Sequence, residues 1–327
     1  MPRTILIQLD CDPQPSTFDS VVAVDAGADV LLRHGSVTPD SAVPLVHGAM
    51  FTRGGADLAS TAIFVGGSDV TAAEEVFHRI RKTFFGPVRV GVLLDPAGAN
   101  TTASAAVVAA GRHLAWSGAA GPPRAVVLGG TGPVGQRVAR LLARKGAAVT
   151  IASRSLSRAE ETVRRIAAVV PGARLESAGF DDQDGIGAAL AAADLVVAAG
   201  AAGVTLMDAA GRGRAARAKV LIDLNAVPPV GIEGIGAADK AREDRGAVVY
   251  GALGVGGTKM KIHRAAIRRL FESNDACLDA EELMAIGESL EPGPAAGGRT
   301  GATAAAASAA CGRASARSTA GSTRPLA

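Results

Sequence analysis

The stretch Arg124-Ala125-Val126-Val127-Leu128-Gly129-Gly130-Thr131-Gly132-Pro133-Val134-Gly135 decides the reading of this chain. A short apolar run that stops at glycines predicts a buried strand, and residues 133–145 read as the helix that follows it. Between them stands Gly130-x-Gly132-x-x-Gly135, and the strand before and helix after it give that spacing its meaning. Gly130 is expected to permit the tight turn, Gly132 to let the backbone approach a pyrophosphate, and Gly135 to let the helix pack close on the strand. Free amides at the helix start, assisted by its dipole, suit an anion. Pro133 fits the first turn, where its missing N–H costs nothing. Thr131 and Val134 complete the predicted dinucleotide contact.

The next strand selects the dinucleotide. Residues 148–152 read as a strand that runs into Ser153-Arg154-Ser155, with Arg158 one turn on. An NAD-preferring site usually carries Asp or Glu near this tip, bonded to the ribose 2′-hydroxyl. Here arginine stands there instead, and a guanidinium pairs well with a 2′-phosphate. NADP is the expected cofactor, with NAD as the weaker alternative. Ala199 and Gly200, after the strand 195–198, and Asn225, after the strand 220–224, are assigned to the same dinucleotide site.

Working outward, strand and helix signals alternate along the rest of the chain. Residues 4–9, 29–32, 62–65 and 88–94 read as strands. A helix between the last two places Val76, Phe77, Ile80 and Phe84 on one face and stops at Gly86-Pro87. Ser117-Gly118-Ala119-Ala120-Gly121-Pro122-Pro123 reads as a hinge. The expectation is an α/β chain: a first domain over 1–115, a Rossmann-type domain over 124–258, and helices over 259–290 that pack back on the first domain. Residues 291–327 are Ala, Gly, Ser, Thr and Arg with almost no large apolar side chain, and are predicted to be disordered.

Composition excludes several classes. A net charge of +3 with mixed signs, and no basic stripe with interleaved aromatics, argues against nucleic acid. No apolar run reaches the length of a membrane span, and the first ten residues start a strand where a signal peptide would need a longer apolar stretch, so the cytoplasm is expected. Cys11, Cys277 and Cys311 fit neither a disulfide framework nor a zinc site, and no metal is expected. None of the 5 histidines belongs to a recognisable triad or ligand cluster; His263, beside Lys259 and Lys261, reads as a helix-surface or packing residue.

Several phrases carry a family resemblance. They include Phe18-Asp19, Val37-Thr38-Pro39-Asp40, Phe51-Thr52-Arg53-Gly54-Gly55, Thr61-Ala62-Ile63-Phe64-Val65-Gly66-Gly67 and Lys82-Thr83-Phe84-Phe85-Gly86-Pro87. Asp95-Pro96-Ala97-Gly98-Ala99-Asn100-Thr101-Thr102, Asp223-Leu224-Asn225-Ala226-Val227-Pro228-Pro229 and Tyr250-Gly251-Ala252-Leu253-Gly254-Val255-Gly256-Gly257 follow. Together with the glycine turn they resemble the NAD(P)-dependent methylenetetrahydromethanopterin dehydrogenases of methylotrophic bacteria, most of all the NADP-dependent branch, over residues 4–290.

The resemblance implies hydride transfer to NADP from methylenetetrahydromethanopterin, or from methylenetetrahydrofolate, giving the methenyl form. It also implies a pterin-binding first domain, a cleft between domains, and a homo-oligomer, trimer or hexamer. Asp19, Asp25, Arg53, Asp95, Asn100, Thr101 and Thr102 are the substrate-site candidates. Asn100, Thr101 and Thr102 either bind the pterin or cap a helix. Lys259 and Lys261, read as following a Gly254–Gly257 loop, are candidates for positioning, as is Asp95. Hydride loss from an N–CH₂–N carbon releases no proton from that carbon, so no catalytic base is required and none is assigned.

Three alternatives stand beside this. A folate dehydrogenase–cyclohydrolase would need a Tyr-x-x-x-Lys helix, but position 254, four past the lone Tyr250, is glycine. That leaves open a folate dehydrogenase without cyclohydrolase activity. A shikimate-dehydrogenase-like enzyme would need a Lys/Asp pair whose motif is absent. A non-catalytic NADP-binding regulator would have no need of the first-domain phrases.

Overall fold

The computed structural model describes residues 2–118 and 121–292. The predicted disordered tail lies outside these bounds except for its first two residues, as does Cys311. Of those two, Glu291 is engaged: it pairs with Arg112 at 2.6 Å.

The chain opens with β1 (Ile5–Asp10), α1 (Thr17–Asp25), β2 (Val30–His34), α2 (Pro39–Phe51), β3 (Thr61–Gly66), α3 (Val70–Thr83), β4 (Gly91–Leu94) and α4 (Ala99–Gly111). Local chemistry sets these boundaries. The Ser16 hydroxyl accepts from the Asp19 amide to start α1, Thr38 and Ser41 form a capping box on α2, and Asp69 caps α3 through two amides. The strand expected over 88–94 is shorter, because Phe85 and Val88 pair across the Gly86-Pro87 turn before β4 begins.

There follow β5 (Arg124–Leu128), α5 (Pro133–Arg144), β6 (Ala148–Ser153), α6 (Leu156–Val169), β7 (Arg174–Gly179), α7 (Gln183–Ala192), β8 (Leu195–Ala198), α8 (Ala209–Arg214), β9 (Val220–Asp223), β10 (Arg242–Asp244) and β11 (Ala247–Tyr250). The chain then enters α9 (Ala252–Leu270), β12 (Cys277–Leu278) and α10 (Ala280–Ser289). The Gly254–Gly257 segment, expected as a loop, forms the first turns of α9. Gly254 is required there because a Cβ would collide with the Asp239 carbonyl.

Two sheets result. The first is parallel throughout, in the order β12-β4-β3-β1-β2, and the second runs β10-β11-β9-β8-β5-β6-β7 with only β10 antiparallel. This is an α/β fold whose second sheet is doubly wound, as expected. Each sheet reverses its strand order once, between β1 and β3 in the first and between β5 and β8 in the second. Ligands of such sheets bind at these switch points, beyond the carboxyl ends of the strands.

The two sheets share one apolar core. Leu6, Phe64 and Leu93 from the first belong to the same buried cluster as Val127, Ile151 and Val197 from the second. Between them runs α4, buried along almost its whole length and built of alanine, valine and small polar residues, which lets α5, α9 and α10 approach closely. The C-terminal segment returns to the first sheet, where β12 pairs with β4. Arg140 and Arg144 of α5 both reach Glu281 of α10, at 3.0 and 2.8 Å.

Candidate active site

The glycine turn lies at the second switch point. Its left-handed residue is Gly129, at φ +72°, so Gly129 makes the tight turn assigned above to Gly130. A Cβ on Gly129 would sit 2.6 Å from the Gly200 Cα, which explains why Ala199-Gly200 opposes it across the switch point. Gly130 is held between Ile151 and the Val127 carbonyl, and a Cβ on Gly135 would meet the Gly129 carbonyl at 2.5 Å. Gly132 differs: a Cβ there would meet its nearest atoms at an ordinary 3.5 Å. Among the described residues no close contact demands glycine at 132.

At the neighbouring strand tip, the buried Ser153 hydroxyl lies 3.2 Å from that of Thr131 and accepts from the Ser155 amide. Ser155 in turn caps α6 by accepting from the Arg158 amide. Arg154 and Arg158 are exposed, and their guanidinium groups form no ion pair among the described residues. Hydroxyls, a helix start and two exposed guanidinium groups are thus carried by this strand tip and the helix after it. Asn225 is less free: its amide donates to the Pro229 carbonyl and its oxygen accepts from the Val227 amide, so it holds its own loop.

The first switch point carries a cavity of about 310 Å³. It is lined by Asp10 at the end of β1 and Asp12 beyond it, Ser16, Phe18 and Asp19 at the start of α1, Gly67 and Ser68 beyond β3, and Ala97 and Gly98 beyond β4. Lys259 closes it from α9, with its Nζ 5.7 Å from the centroid of the Phe18 ring. Gly98, at φ +61°, leaves the space that this ammonium fills. α9 starts at the tip of β11 in the second sheet, and Lys259 lies seven residues along it, about 10 Å of helix. One helix therefore carries the chain from the carboxyl edge of the second sheet to the cavity of the first.

The cavity is acidic. Asp10 and Asp12 are held by backbone amides and the Ser68 hydroxyl. Asp95 is fully buried beneath it, accepting from the Asn100 and Thr101 amides and from the Thr101 hydroxyl at 2.7 Å. Asp19 has no such set of donors. Burial, followed by the charge of Asp95, pushes its carboxyl up to about 7, against the pull of Ser16 and Lys259.

Among the sequence candidates, the structure brings Asp19 and Lys259 to this cavity, with Asp95 just behind. Asn100 and Thr101 are fully buried, and Thr102 bonds the Gly98 carbonyl, so all three build the start of α4. Asn100 spends its amide on Leu94 and Asp279 and its oxygen on Arg137. Asp25 faces outward toward Arg264, and Lys261 is exposed. Arg53 sits at the opposite end of the sheet, bonding the carbonyls of Arg3 and Ser60 at the strand starts. Sequence reasoning missed Asp10, Asp12 and Gly129 as site residues. A carboxylate closing a buried parallel strand was the available signal for Asp10. Of the two roles expected for His263, the structure shows packing: it is fully buried against Phe64, on the side of α9 that faces Asp19. Among the described residues no group of three or more potential metal ligands gathers.

Comparison with known proteins bears on this geometry. Residues 17–97 match the family model of the methylene-tetrahydromethanopterin dehydrogenase N-terminal domain. The bifunctional protein MdtA of Methylorubrum extorquens is 42% identical over 293 residues, 89% of this chain and 100% of that protein. The chain belongs to the methylenetetrahydromethanopterin dehydrogenase family. A second member from the same organism, named NAD(P)-dependent methylenetetrahydromethanopterin dehydrogenase, is 33% identical over 88% of this chain and 98% of its own. Among solved structures, a shikimate 5-dehydrogenase from Listeria monocytogenes overlaps 87% of this chain and 96% of that one at 14% identity and a TM-score of 0.48, a likeness too slight to bear on function. The family match spans α1 to the turn after β4, so it takes in the cavity-lining residues from Thr17 to Ala97, while Lys259 comes from beyond the second sheet.

Proposed function

We propose that this chain transfers a hydride reversibly between the methylene carbon of methylenetetrahydromethanopterin and NADP, yielding the methenyl form. The observation that carries this reading is the pairing of two switch-point sites through α9: a phosphate-accepting glycine turn with an arginine-bearing tip, and an acidic cavity closed by Lys259. Bound at the glycine turn, NADP supplies the hydride acceptor.

The chain's own residues bind, orient and tune charge. Amides at the start of α5 face the pyrophosphate, and Arg154 and Arg158 favour a 2′-phosphate. In the cavity, Asp10, Asp12 and Asp19 suit the donor edge of a reduced pterin. Their negative field also favours the cationic charge that develops as hydride leaves, which is the electrostatic contribution such a reaction needs. Phe18 offers a ring face and Lys259 a single positive charge at the mouth. No residue has to remove a proton from the reacting carbon. Methylenetetrahydrofolate is the related donor to compare.

We further infer a homo-oligomer, trimer or hexamer, in the cytoplasm of a one-carbon-oxidising cell. Val21 and Val24 of α1 and Leu32 of the edge strand β2 are exposed apolar side chains that support self-association. No helix among the described residues is long and apolar enough to cross a membrane. The test is reduction of NADP by purified protein with methylenetetrahydromethanopterin and, separately, methylenetetrahydrofolate. Turnover with the first and weaker turnover with the second is expected. NADP binding without reduction by either would overturn the enzymatic reading.

A further inference from the structure

His263 stands one helical turn past Lys259 on α9 and is fully buried. Its ring stacks on Phe64, with centroids 5.7 Å apart and planes 21° from parallel, and Phe18 lies 6.4 Å away. Neither ring nitrogen has a hydrogen-bond partner among the described residues. A buried imidazole left in this state pays a desolvation cost that a nearby acceptor would relieve. Asp19 offers one: its Oδ1 lies 4.0 Å from Nε2. That gap is about one ångström wider than a hydrogen bond, so a small rotation of the Asp19 side chain closes it. The opposite rotation presents the carboxyl to the cavity that Asp19 lines.

We propose that His263 is a positioning residue that shares a single proton with Asp19 and thereby sets the charge the cavity presents to its pterin. The proposal rests on the reading of this cavity as the pterin site. Burial works on both partners in the same sense: it lowers the imidazole's affinity for a proton and raises the carboxyl's. At 4.0 Å the two are close enough for their titrations to couple. With one proton the pair is neutral, whether as carboxylic acid beside imidazole or as carboxylate beside imidazolium. Losing that proton leaves a net negative charge at the cavity, and gaining a second leaves a positive one. The other charges facing the pair are Asp95 beyond β4 and Asp10 at the end of β1, which favour holding the proton, and Lys259, which opposes it.

Oxidation adds one positive charge to the pterin and releases no proton from it. The deprotonated pair therefore favours the methenyl cation, and the protonated pair favours the neutral methylene form. The on-enzyme balance between the two should depend on pH even though the hydride reaction itself does not.

Two measurements test this. In ligand-free protein, carbon-resolved NMR of the His263 ring and the Asp19 carboxyl should show the two titrating with shared midpoints, and Asp19→Asn should displace the His263 titration. Independent midpoints, unmoved in that variant, would overturn the shared proton whatever the cavity binds. In the second, affinity for methenyltetrahydromethanopterin relative to tetrahydromethanopterin should rise with pH through neutrality, by at most about tenfold per pH unit for one titrating charge. His263→Phe, which keeps the stack on Phe64, should shift that midpoint by about one pH unit, and Asp19→Asn should flatten the profile. An unchanged midpoint in His263→Phe would also overturn the proposal. Failure of either pterin to bind at any pH would instead remove the reading of the cavity, with the NMR result still deciding the proton pair.

Discussion

Arg137, one turn into the helix behind the glycine turn, donates its Nε hydrogen to the side-chain oxygen of Asn100 on α4, in the interior between the two sheets. The same guanidinium reaches Glu74 of α3 at 2.7 Å and the Pro133 carbonyl at 3.0 Å. Asn100 passes the contact on to Asp279, the cap of α10. The helix behind the glycine turn is thus tied to three elements around the first sheet, α3, α4 and, through Asn100 and Arg140, α10.

Replacing Arg137 by Met keeps much of its apolar stem but leaves the buried Asn100 oxygen without its donor. A loss of about 1–3 kcal/mol in unfolding free energy is expected, the cost of one unsatisfied buried polar group. Denaturant titration measures it. A change under about 0.5 kcal/mol, the range of neutral surface substitutions, would show that the contact adds nothing to stability.

The glycine turn separates ligand effects from folding effects. Gly132→Val should abolish NADP binding while the melting temperature stays close to that of the unaltered protein, since a Cβ at 132 meets ordinary contacts only. Gly135→Ala should do the reverse, lowering the melting temperature because its Cβ would meet the Gly129 carbonyl at 2.5 Å. Calorimetry with and without NADP distinguishes them, and normal NADP binding by Gly132→Val would displace the pyrophosphate from this turn.

Arg154→Asp should weaken NADP binding by about 1–3 kcal/mol, the scale of a charge-assisted contact, with a much smaller effect on NAD. Because Arg154 is exposed and forms no ion pair among the described residues, stability should hardly change. Equal affinity for NADP before and after the substitution would move the 2′-phosphate elsewhere.

Asp19 links stability to pH. Its folded-state carboxyl is raised from 3.8 to about 7, chiefly by burial, so between those values the folded chain holds a proton that the unfolded chain has released. The Asp19 contribution to stability must then fall as pH rises through that window and level off above about 7. Asp19→Asn removes the penalty, and its advantage over the unaltered protein should grow from near zero at about pH 4 to as much as about 4 kcal/mol at about pH 8, less where cavity water screens the charge. Urea unfolding across that range checks the slope; an advantage independent of pH would contradict it.

A base-free hydride step predicts a primary isotope effect with a deuterated methylene group and no bell-shaped pH dependence in single turnovers. Ionisation of Asp19 adds at most a shallow, monotonic rise. A bell whose limbs vanish on replacing Asp19 or Lys259 would require proton transfer in that step.

The second sheet and its turn were legible because glycine spacing, a helix-starting proline and strand-tip chemistry are local signals. The first site was only half legible. Asp19 and Asp95 could be chosen as carboxylates near strand or helix ends, but Asp25, at the other end of the same helix as Asp19, carries the same local signal and points away. Arg53 lies at the wrong end of its sheet, a fact fixed by the pairing of β1 with β3 that no local pattern encodes. Asn100 looked equally suited to capping and binding until Arg137 and Asp279, distant in sequence, occupied its hydrogen bonds. His263 was read as a surface or packing residue because its burial depends on β3 lying beneath α9.

The pairing of β12 with β4 sets an order of events during synthesis. The edge of β4 stays uncovered until the whole second sheet and α9 have left the ribosome. The first sheet therefore emerges early and is completed late, with the second sheet inserted within it in chain order. A ribosome stalled before β12 would display an unfinished parallel edge, which makes that interval of translation the point at which this chain is most exposed to chaperones and to mispairing.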